Sequence, residues 1–223
     1  MADPRPPADL STVLFDLDGV LVDSVPPIRA SMNHALVSLG RKTRSEADIR
    51  PLIGPPLERS AAIALGTDDA DAVAAFVGHF RSAYAERYLV GTLPARGLDE
   101  VLCTLAARYR LLVATSKPEA YAVPLLQHLG VDGWFVGIFG RSMALDHDSK
   151  AQVIGRALAS LDSSPASRIL MVGDREHDVH GASAHGIATV GVRHGAGEEA
   201  ELREAGAIHV VDDLPALREW LLA

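Results

Sequence analysis

Short, continuous apolar runs recur along this chain, and most of them are followed by a segment with helical periodicity. Runs that are apolar at every position indicate strands covered on both faces, as in parallel sheets. The repeated order strand, helix, strand predicts an α/β fold with a doubly wound parallel sheet and helices on both sides. The predicted strands are 12–15, 111–114, 135–139, 169–172, 188–192 and a weaker one at 208–211. The predicted helices are 98–108, 119–129, 150–161 and 178–185.

The interval 25–93 breaks this rhythm and contains no convincing strand. Apolar residues fall there at helical spacing in two stripes, which are Ile28, Met32, Ala35, Leu36 and Leu39, and Val73, Phe76, Val77, Phe80 and Tyr84. Gly40 and Gly66 stand where helices would end. We therefore predict an α/β core domain formed by 1–24 and 94–223, with a helical domain inserted at 25–93.

Composition and charge limit the partners that this chain is expected to have. Its 223 residues are 48% hydrophobic and 22% charged, which suits a globular protein with a substantial core. The net charge of -8 disfavours nucleic acid and anionic membranes as main partners. We find no apolar run long enough to span a bilayer and no apolar N-terminal stretch. Cys103 is the only cysteine, so no intramolecular disulfide can form. We predict a cytoplasmic location, and we interpret Cys103 as part of a buried helix face.

Two aspartates follow the first predicted strand directly. Asp16 and Asp18 are two residues apart, so they share a face if the extended geometry continues, and Gly19 then allows a sharp turn. Carboxylates this close repel one another unless a cation or a shared proton compensates. A single aspartate here would be read as a turn cap, but the pair at a strand end favours a site.

A second aspartate pair follows the strand at 169–172. Asp174 ends this strand and Asp178 comes four residues later, on the same side of a helix. Asp178 could be an ordinary helix cap, whereas Asp174 has no such simple explanation. Together with Asp16, it supplies the hard oxygen ligands that Mg²⁺ prefers.

Hydroxyl and ammonium groups complete the pattern. Thr115 and Ser116 follow the strand at 111–114, and Lys150 lies near the start of a helix. Each of these signals alone is weak, because threonine and serine often cap helices and lysine is usually solvated. Their common position near the carboxyl ends of the predicted strands, where ligands bind in open parallel sheets, favours a shared site.

These residues resemble the motifs of the haloacid dehalogenase superfamily, and within it the phosphoglycolate phosphatase-like and β-phosphoglucomutase-like group. Residues 15–24, Phe-Asp-Leu-Asp-Gly-Val-Leu-Val-Asp-Ser, are similar to its first motif almost letter for letter. Thr115 fits the second motif, Lys150 the third, and Gly173-Asp174 with Asp178 the fourth. The insertion resembles the cap domain of that group. Many relatives carry Lys-Pro at the third motif, whereas Ala151 follows Lys150 here, so Lys117 remains a competitor for the lysine role.

The resemblance implies a Mg²⁺-dependent phosphatase that acts on a small phosphorylated metabolite. It makes Asp16 the nucleophile that becomes an aspartyl-phosphate, and Asp18 the general acid and base. It places Mg²⁺ at Asp16, Asp174 and the backbone carbonyl of Asp18, with Asp178 orienting Lys150 or metal-bound water. Thr115, Ser116 and Lys150 are then expected to bind the phosphoryl group.

The inserted domain is expected to choose the substrate and to close over the site. Arg59 is the candidate for holding a second anionic group, and Arg29 and Arg50 are further candidates. Hinges are expected at 21–25 and 89–94. The identity of the phosphomonoester and the choice between monomer and homodimer stay open.

Other functions remain as alternatives. A sugar phosphate mutase shares the core motifs and differs in how well the cap excludes water. A dehalogenase would usually lack Asp18, and a phosphonatase needs a lysine in the insertion, where only Lys42 is present. A non-catalytic binding protein on the same scaffold is disfavoured because every core motif position is filled.

His177 and His180 are three residues apart but lack a third zinc ligand, and we interpret the glycine-rich segment 193–197 as a surface loop.

Overall fold

A computed structural model describes residues 5–142, 148–161, 165–195 and 197–223. The chain separates into two compact units. One comprises Met1–Val22 with Pro94–Ala223, and the other comprises Asp23–Leu93. These boundaries lie within two residues of those expected from the sequence. Whether the second unit acts as a cap stays a prediction.

The first unit is built on a six-stranded sheet. The strands are β1 (Thr12–Phe15), β4 (Arg110–Pro118), β5 (Gly137–Arg141), β6 (Ile169–Gly173), β7 (Ala188–Val192) and β8 (His209–Val211). They lie in the order β5-β4-β1-β6-β7-β8, and all strand pairs in the sheet are parallel. Since the chain moves outward from β1 first in one direction and then in the other, the sheet is doubly wound and the predicted fold class is confirmed.

The core of this unit explains why its strands read as unbroken apolar runs. Every residue of β1 and β6 is buried. One cluster packs strand residues such as Leu14, Leu112 and Met171 against Val153 and Ile154 of a helix. Fully burying each such side chain contributes about 1.5–3 kcal/mol. The helices of the unit are α5 (Leu98–Ala106), α6 (Glu119–His128), α7 (Lys150–Ala159), α8 (Glu176–Ser183), α9 (Glu199–Ala205) and α10 (Leu214–Leu222).

Several details of the first unit differ from the sequence predictions. The sequence did not predict α9 and α10, and β4 extends to Pro118 rather than ending at 114. β5 begins at Gly137 rather than at 135, because a short 3-10 helix (Asp132–Trp134) delivers the chain to the sheet. The interpretation of Cys103 as a buried residue is wrong. α5 buries Leu102 and Leu105 and leaves Cys103 exposed.

The second unit is helical in the part where the sequence predicts helices. Its helices are α1 (Val25–Ser38), α2 (Glu46–Ile49), α3 (Leu57–Leu65) and α4 (Ala70–Gly91), with a 3-10 turn at Arg50–Leu52. α1 and α4 pack along each other. On α4 the rings of Phe80, Tyr84 and Tyr88 stack successively, with centroids 5.4 and 5.6 Å apart. Gly66 ends α3 in the left-handed conformation, as its position predicted.

The two chain segments that connect the units form a small sheet of their own. β2 (Val22–Asp23) and β3 (Leu93–Pro94) pair as a two-stranded sheet. The backbone N–H of Ala95 also donates to the carbonyl of Leu21, at 2.9 Å. The insertion thus leaves and re-enters the core through neighbouring strands.

Candidate active site

The carboxyl ends of three adjacent strands bring the candidate residues to one edge of the sheet. Asp16 follows β1, Thr115 lies near the end of β4, and Asp174 follows β6. β1 lies between β4 and β6 in the sheet. The backbone N–H of Asp16 still donates to the carbonyl of Val172 at 2.9 Å, so the ladder holds Asp16 in place. This is the edge at which open parallel sheets bind ligands.

Lys150 connects two of the aspartates. Its Nζ lies 2.7 Å from Oδ1 of Asp16 and 2.7 Å from Oδ1 of Asp178, and its side chain is only 4% exposed. Lys150 is the first residue of α7, where Ser149 and Gln152 form a capping box that fixes the start of the helix. A defined helix start therefore aims a buried ammonium group at two carboxylates.

Burial and charge act in opposite directions on these groups. Burial raises the pKa of Asp16 to about 6, although Lys150 and a hydrogen bond from Thr115 pull it downward. Burial alone would lower the pKa of Lys150, but the negative charges of Asp16 and Asp178 outweigh it and raise that pKa. Lys150 therefore stays charged, whereas Asp16 sits in surroundings that penalise its negative charge.

The three buried aspartates are suited to a divalent cation. Asp16, Asp174 and Asp178 each offer a carboxylate oxygen, and these atoms lie within 4.8 Å of one another. The Oδ2 atom of Asp178 is occupied by the backbone N–H groups of Asp174 and Arg175, at 3.1 and 3.2 Å. Oδ1 of Asp178 contacts Lys150, so Asp178 suits an orienting position better than direct ligation. Asp16 and Asp174 are the better placed ligands, and carboxylate oxygens are the donors that Mg²⁺ prefers.

Asp18 has a different environment from the other aspartates. Its two carboxylate oxygens accept hydrogen bonds from Nζ of Lys117, at 2.9 and 3.0 Å. Its side chain is outside the three-aspartate group. Of the two competing lysines, Lys150 contacts Asp16 and Lys117 contacts Asp18. The contact between Lys117 and Asp18 is not among the sequence predictions.

Two glycines leave room for the carboxylate of Asp174. Gly19 has a φ of +84°, which favours glycine, and a Cβ there would overlap the Asp174 carboxylate. A Cβ at Gly195 would overlap the same carboxylate from the loop after β7. In that loop, Nε2 of His194 donates to the carbonyl of Val20, at 2.9 Å. Arg193 and His194 are exposed, as expected of a surface loop, and Gly195 of the same loop also packs on a candidate metal ligand. Residue 196 lies outside the described residues.

Replacing Gly195 by alanine is expected to weaken metal binding. The added methyl group must displace the Asp174 carboxylate, and changes beside a metal ligand typically cost 10–100-fold in metal affinity. Titration of activity with Mg²⁺ should show at least about a tenfold higher half-saturating concentration. Gly78→Ala is the matched control, since a Cβ there meets nothing within 4 Å. Equal Mg²⁺ dependence in wild type and Gly195→Ala would contradict the expectation.

The remaining candidates are placed as follows. Thr115 is buried beside Asp16, and Ser116 is half-buried on the same strand. Arg59 is exposed on α3 of the other unit. Arg29 and Arg50 both pair with Glu46, at 3.6 and 3.1 Å, so their charges are partly used within their own unit. The roles of Arg59 and Ser116 stay predictions.

Two further predictions concern the histidines of α8 and segments that could span a membrane. In the part of the chain that the structure describes, the one cluster able to hold a metal is the aspartate group, and no cluster includes His177 or His180. None of the helices described there is long and apolar enough to cross a membrane.

Residues 13–192 match the family described as haloacid dehalogenase-like hydrolase. The chain is 38% identical to a 5'-nucleotidase of Pseudomonas aeruginosa, with 94% of each chain aligned. It is 34% identical to a phosphoglycolate phosphatase of Rhodospirillum rubrum, over 94% of this chain and 90% of that one.

A third relative is the tyrosine-protein kinase PtkA of Mycobacterium tuberculosis, 41% identical over 83% of this chain and 62% of that protein. The solved structure of PtkA superimposes with a TM-score of 0.83, at 34% identity, over 97% of this chain and 100% of that one.

Proposed function

The chain belongs to the haloacid dehalogenase-like hydrolases, and from this premise we propose that it hydrolyses a small phosphomonoester through an aspartyl-phosphate on Asp16, with Mg²⁺ as cofactor. The predicted enzyme class, a phosphatase, is confirmed by the family match together with relatives named as phosphatase and nucleotidase. The metal, the covalent intermediate and the substrate belong to the proposal. So do a cytoplasmic location and a monomeric or homodimeric state.

One observation carries the proposal. A buried carboxylate at the end of β1 contacts a buried lysine at 2.7 Å and lies within 4.8 Å of two further carboxylates. Four aspartates, counting Asp18, face two lysines, which leaves a formal excess of two negative charges. A divalent cation balances that excess, and an isolated acidic cluster would otherwise oppose the approach of a phosphate.

Asp16 and Asp174, with the backbone carbonyl of Asp18, are the residues that would hold Mg²⁺. When bound there, the ion supplies charge neutralisation between an anionic nucleophile and an anionic substrate. All the donor atoms of this set are oxygens, and the two carboxylates carry negative charge, so the set fits a Mg²⁺ ion.

Each residue of the site has a separate role in the proposed phosphoryl transfer. A carboxylate oxygen of Asp16 attacks phosphorus, and the bond from phosphorus to the leaving alkoxide breaks. Asp18 protonates the alkoxide and afterwards takes a proton from the water that hydrolyses the aspartyl-phosphate. Lys150 and Thr115 are placed beside Asp16, where they stabilise charge on the transferring group. Asp178 holds Lys150 through its Oδ1 atom.

The substrate is proposed to be a small phosphorylated metabolite. Relatives named phosphoglycolate phosphatase and 5'-nucleotidase make phosphoglycolate and nucleoside 5'-monophosphates the first compounds to test. We place selectivity in the second unit, with Arg59 as the candidate contact for a second anionic group. Replacing Arg59 should therefore affect substrates with a second anionic group more than phosphomonoesters that carry no further charge.

A phosphomonoester screen tests the proposed function. Purified protein with Mg²⁺ is expected to release inorganic phosphate from at least one member of a panel containing phosphoglycolate, sugar phosphates and nucleoside monophosphates. A chelator should abolish release, and added Mg²⁺ should restore it. Conversion of a sugar phosphate into its isomer without phosphate release would instead identify a mutase. Absence of any turnover would favour a binding protein.

A further inference from the structure

We propose that Lys117 is a positioning residue for Asp18, and that it serves the step in which the aspartyl-phosphate is hydrolysed. The inference rests on the proposed function, in which Asp18 accepts a proton from the attacking water. The site then contains two lysines with different roles, Lys150 beside Asp16 and Lys117 beside Asp18.

The contact between the two side chains is bidentate. Nζ of Lys117 donates to both oxygens of Asp18, at 2.9 and 3.0 Å. A single hydrogen bond would leave the carboxylate free to rotate about it, whereas two bonds fix the direction of the carboxylate. The Lys117 side chain is 4% exposed and that of Asp18 is 20% exposed. Lys117 is therefore enclosed, and Asp18 keeps an accessible face.

The backbone of β4 aims Lys117 at this target. The pairing of β4 with β5 is irregular between Ala114 and Pro118, and such a bulge redirects side chains near a strand end. Within it, the backbone N–H of Lys117 donates to Oγ1 of Thr115, at 3.2 Å. Pro118 further restricts Lys117 to extended geometry. Because the backbone of β4 fixes the position of Lys117, Lys117 can fix the orientation of the Asp18 carboxylate.

The two buried lysines contact different carboxylates. Lys150 contacts Asp16 and Asp178, whereas Lys117 contacts Asp18. Burying an ammonium group destabilises the fold unless the group is paired with a negative charge. Each lysine therefore favours conformations in which its carboxylate partner stays beside it. We therefore expect loss of Lys117 to impair proton transfer to Asp18 and to leave the contact between Lys150 and the nucleophile Asp16 unchanged.

The hydrolytic step defines what Asp18 must do. The oxygen of water bonds to phosphorus, the bond between phosphorus and the Asp16 oxygen breaks, and the electron pair returns to the Asp16 carboxylate. The water proton passes to Asp18 and replaces the proton that Asp18 gave to the leaving alkoxide, and inorganic phosphate leaves. A carboxylate held in the wrong direction fails at this step, because misplacement by about 1 Å can cost 10²-fold.

p-Nitrophenyl phosphate isolates this step from the first one. Nitrophenolate leaves without needing a proton, so formation of the aspartyl-phosphate does not depend on Asp18. If Lys117 orients Asp18 for hydrolysis, Lys117→Met should lower kcat and KM together by about 30-fold, with kcat/KM within about threefold of wild type. A defect in folding or in substrate binding would lower kcat/KM instead.

Rapid mixing with p-nitrophenyl phosphate and Mg²⁺ provides the test. Lys117→Met should release about one nitrophenolate per active site in a fast burst, followed by slow turnover. Lys117→Arg, whose guanidinium can donate two parallel bonds, should recover most of the turnover. Lys42→Met, which removes an exposed lysine of the other unit, should behave as wild type. If Lys117→Met fails to fold, Lys117→Gln is used in the same comparison.

The outcomes separate this inference from the proposed function. Asp18→Asn should also give a burst and then stall; steady turnover of that variant at the wild-type rate would refute the role of Asp18 itself. If Asp18→Asn stalls but Lys117→Met loses kcat/KM without a burst, Lys117 contacts the substrate phosphate and our inference is wrong. Unchanged kinetics of Lys117→Met would overturn it equally.

Discussion

Asp16→Asn is expected to lower phosphate release at least about 10⁴-fold, because the amide cannot attack phosphorus. Asp16 is the residue on which the other groups converge, with Lys150 at 2.7 Å and Thr115 hydrogen-bonded to it. No other described carboxylate at the edge combines a strand-end position on β1 with this support. Measurement of kcat/KM on the best substrate of the panel, with Mg²⁺ present, checks the expectation. Residual activity above about 1% would argue for another nucleophile.

The same variant is expected to be more stable than wild type in the absence of metal. Burial raises the pKa of Asp16 from 3.8 to about 6, so the folded state binds its proton more tightly than the unfolded state does. The stability that this proton provides is present below about pH 4 and is lost as the pH rises through 6. Urea unfolding in the presence of a chelator should show Asp16→Asn exceeding wild type above pH 6, with a smaller difference near pH 4. A wild type that is the more stable protein above pH 6 would contradict this reasoning.

Lys150→Met is expected to damage both folding and turnover. Removing the ammonium leaves Asp16 and Asp178 facing each other in a buried site, and breaking a buried pair in this way costs about 3–5 kcal/mol. Loss of a charge donor beside the transferring group should lower kcat by about 10²–10³-fold. Chemical unfolding and steady-state kinetics measure the two effects separately.

Added Mg²⁺ helps to interpret the Lys150→Met result. A divalent ion partly replaces the missing positive charge, so it should recover part of the stability and little of the activity. Lys42→Met is the control for loss of a lysine from the surface and should leave both quantities unchanged. If Lys150→Met unfolds at the wild-type urea concentration without metal, the contacts of Lys150 do not stabilise the fold.

The fold could be predicted because burial imposes a pattern that is visible in the sequence. β1 and β6 are buried along their whole length, and apart from Thr12 and Gly173 their residues carry apolar side chains up to Asp16 and Asp174. The same logic located most of the candidate site, since the strands of a parallel sheet all end at the same edge. Strand ends and an acidic residue after them are local features, which a single sequence can show.

Contacts that depend on backbone irregularity could not be read in the same way. Lys117 reaches Asp18 because β4 is irregular before Pro118, and nothing in the apolar pattern encodes that bulge. The approach of Gly195 to Asp174 depends on how a loop returns across the sheet edge, which glycine content alone does not specify. Cys103 was misread because its apolar neighbours face the core while it lies on the other side of α5.

The pairing of β2 with β3 has a consequence for how this protein can be diversified. Because the outgoing and returning segments lie side by side, residues 24–92 can be exchanged as one cassette without changing the length or register of the six-stranded sheet. Chimaeras joined at these two strands would keep the aspartates and lysines of the six-stranded sheet unchanged. If the second unit chooses the substrate, as we propose, grafting at this junction should change selectivity.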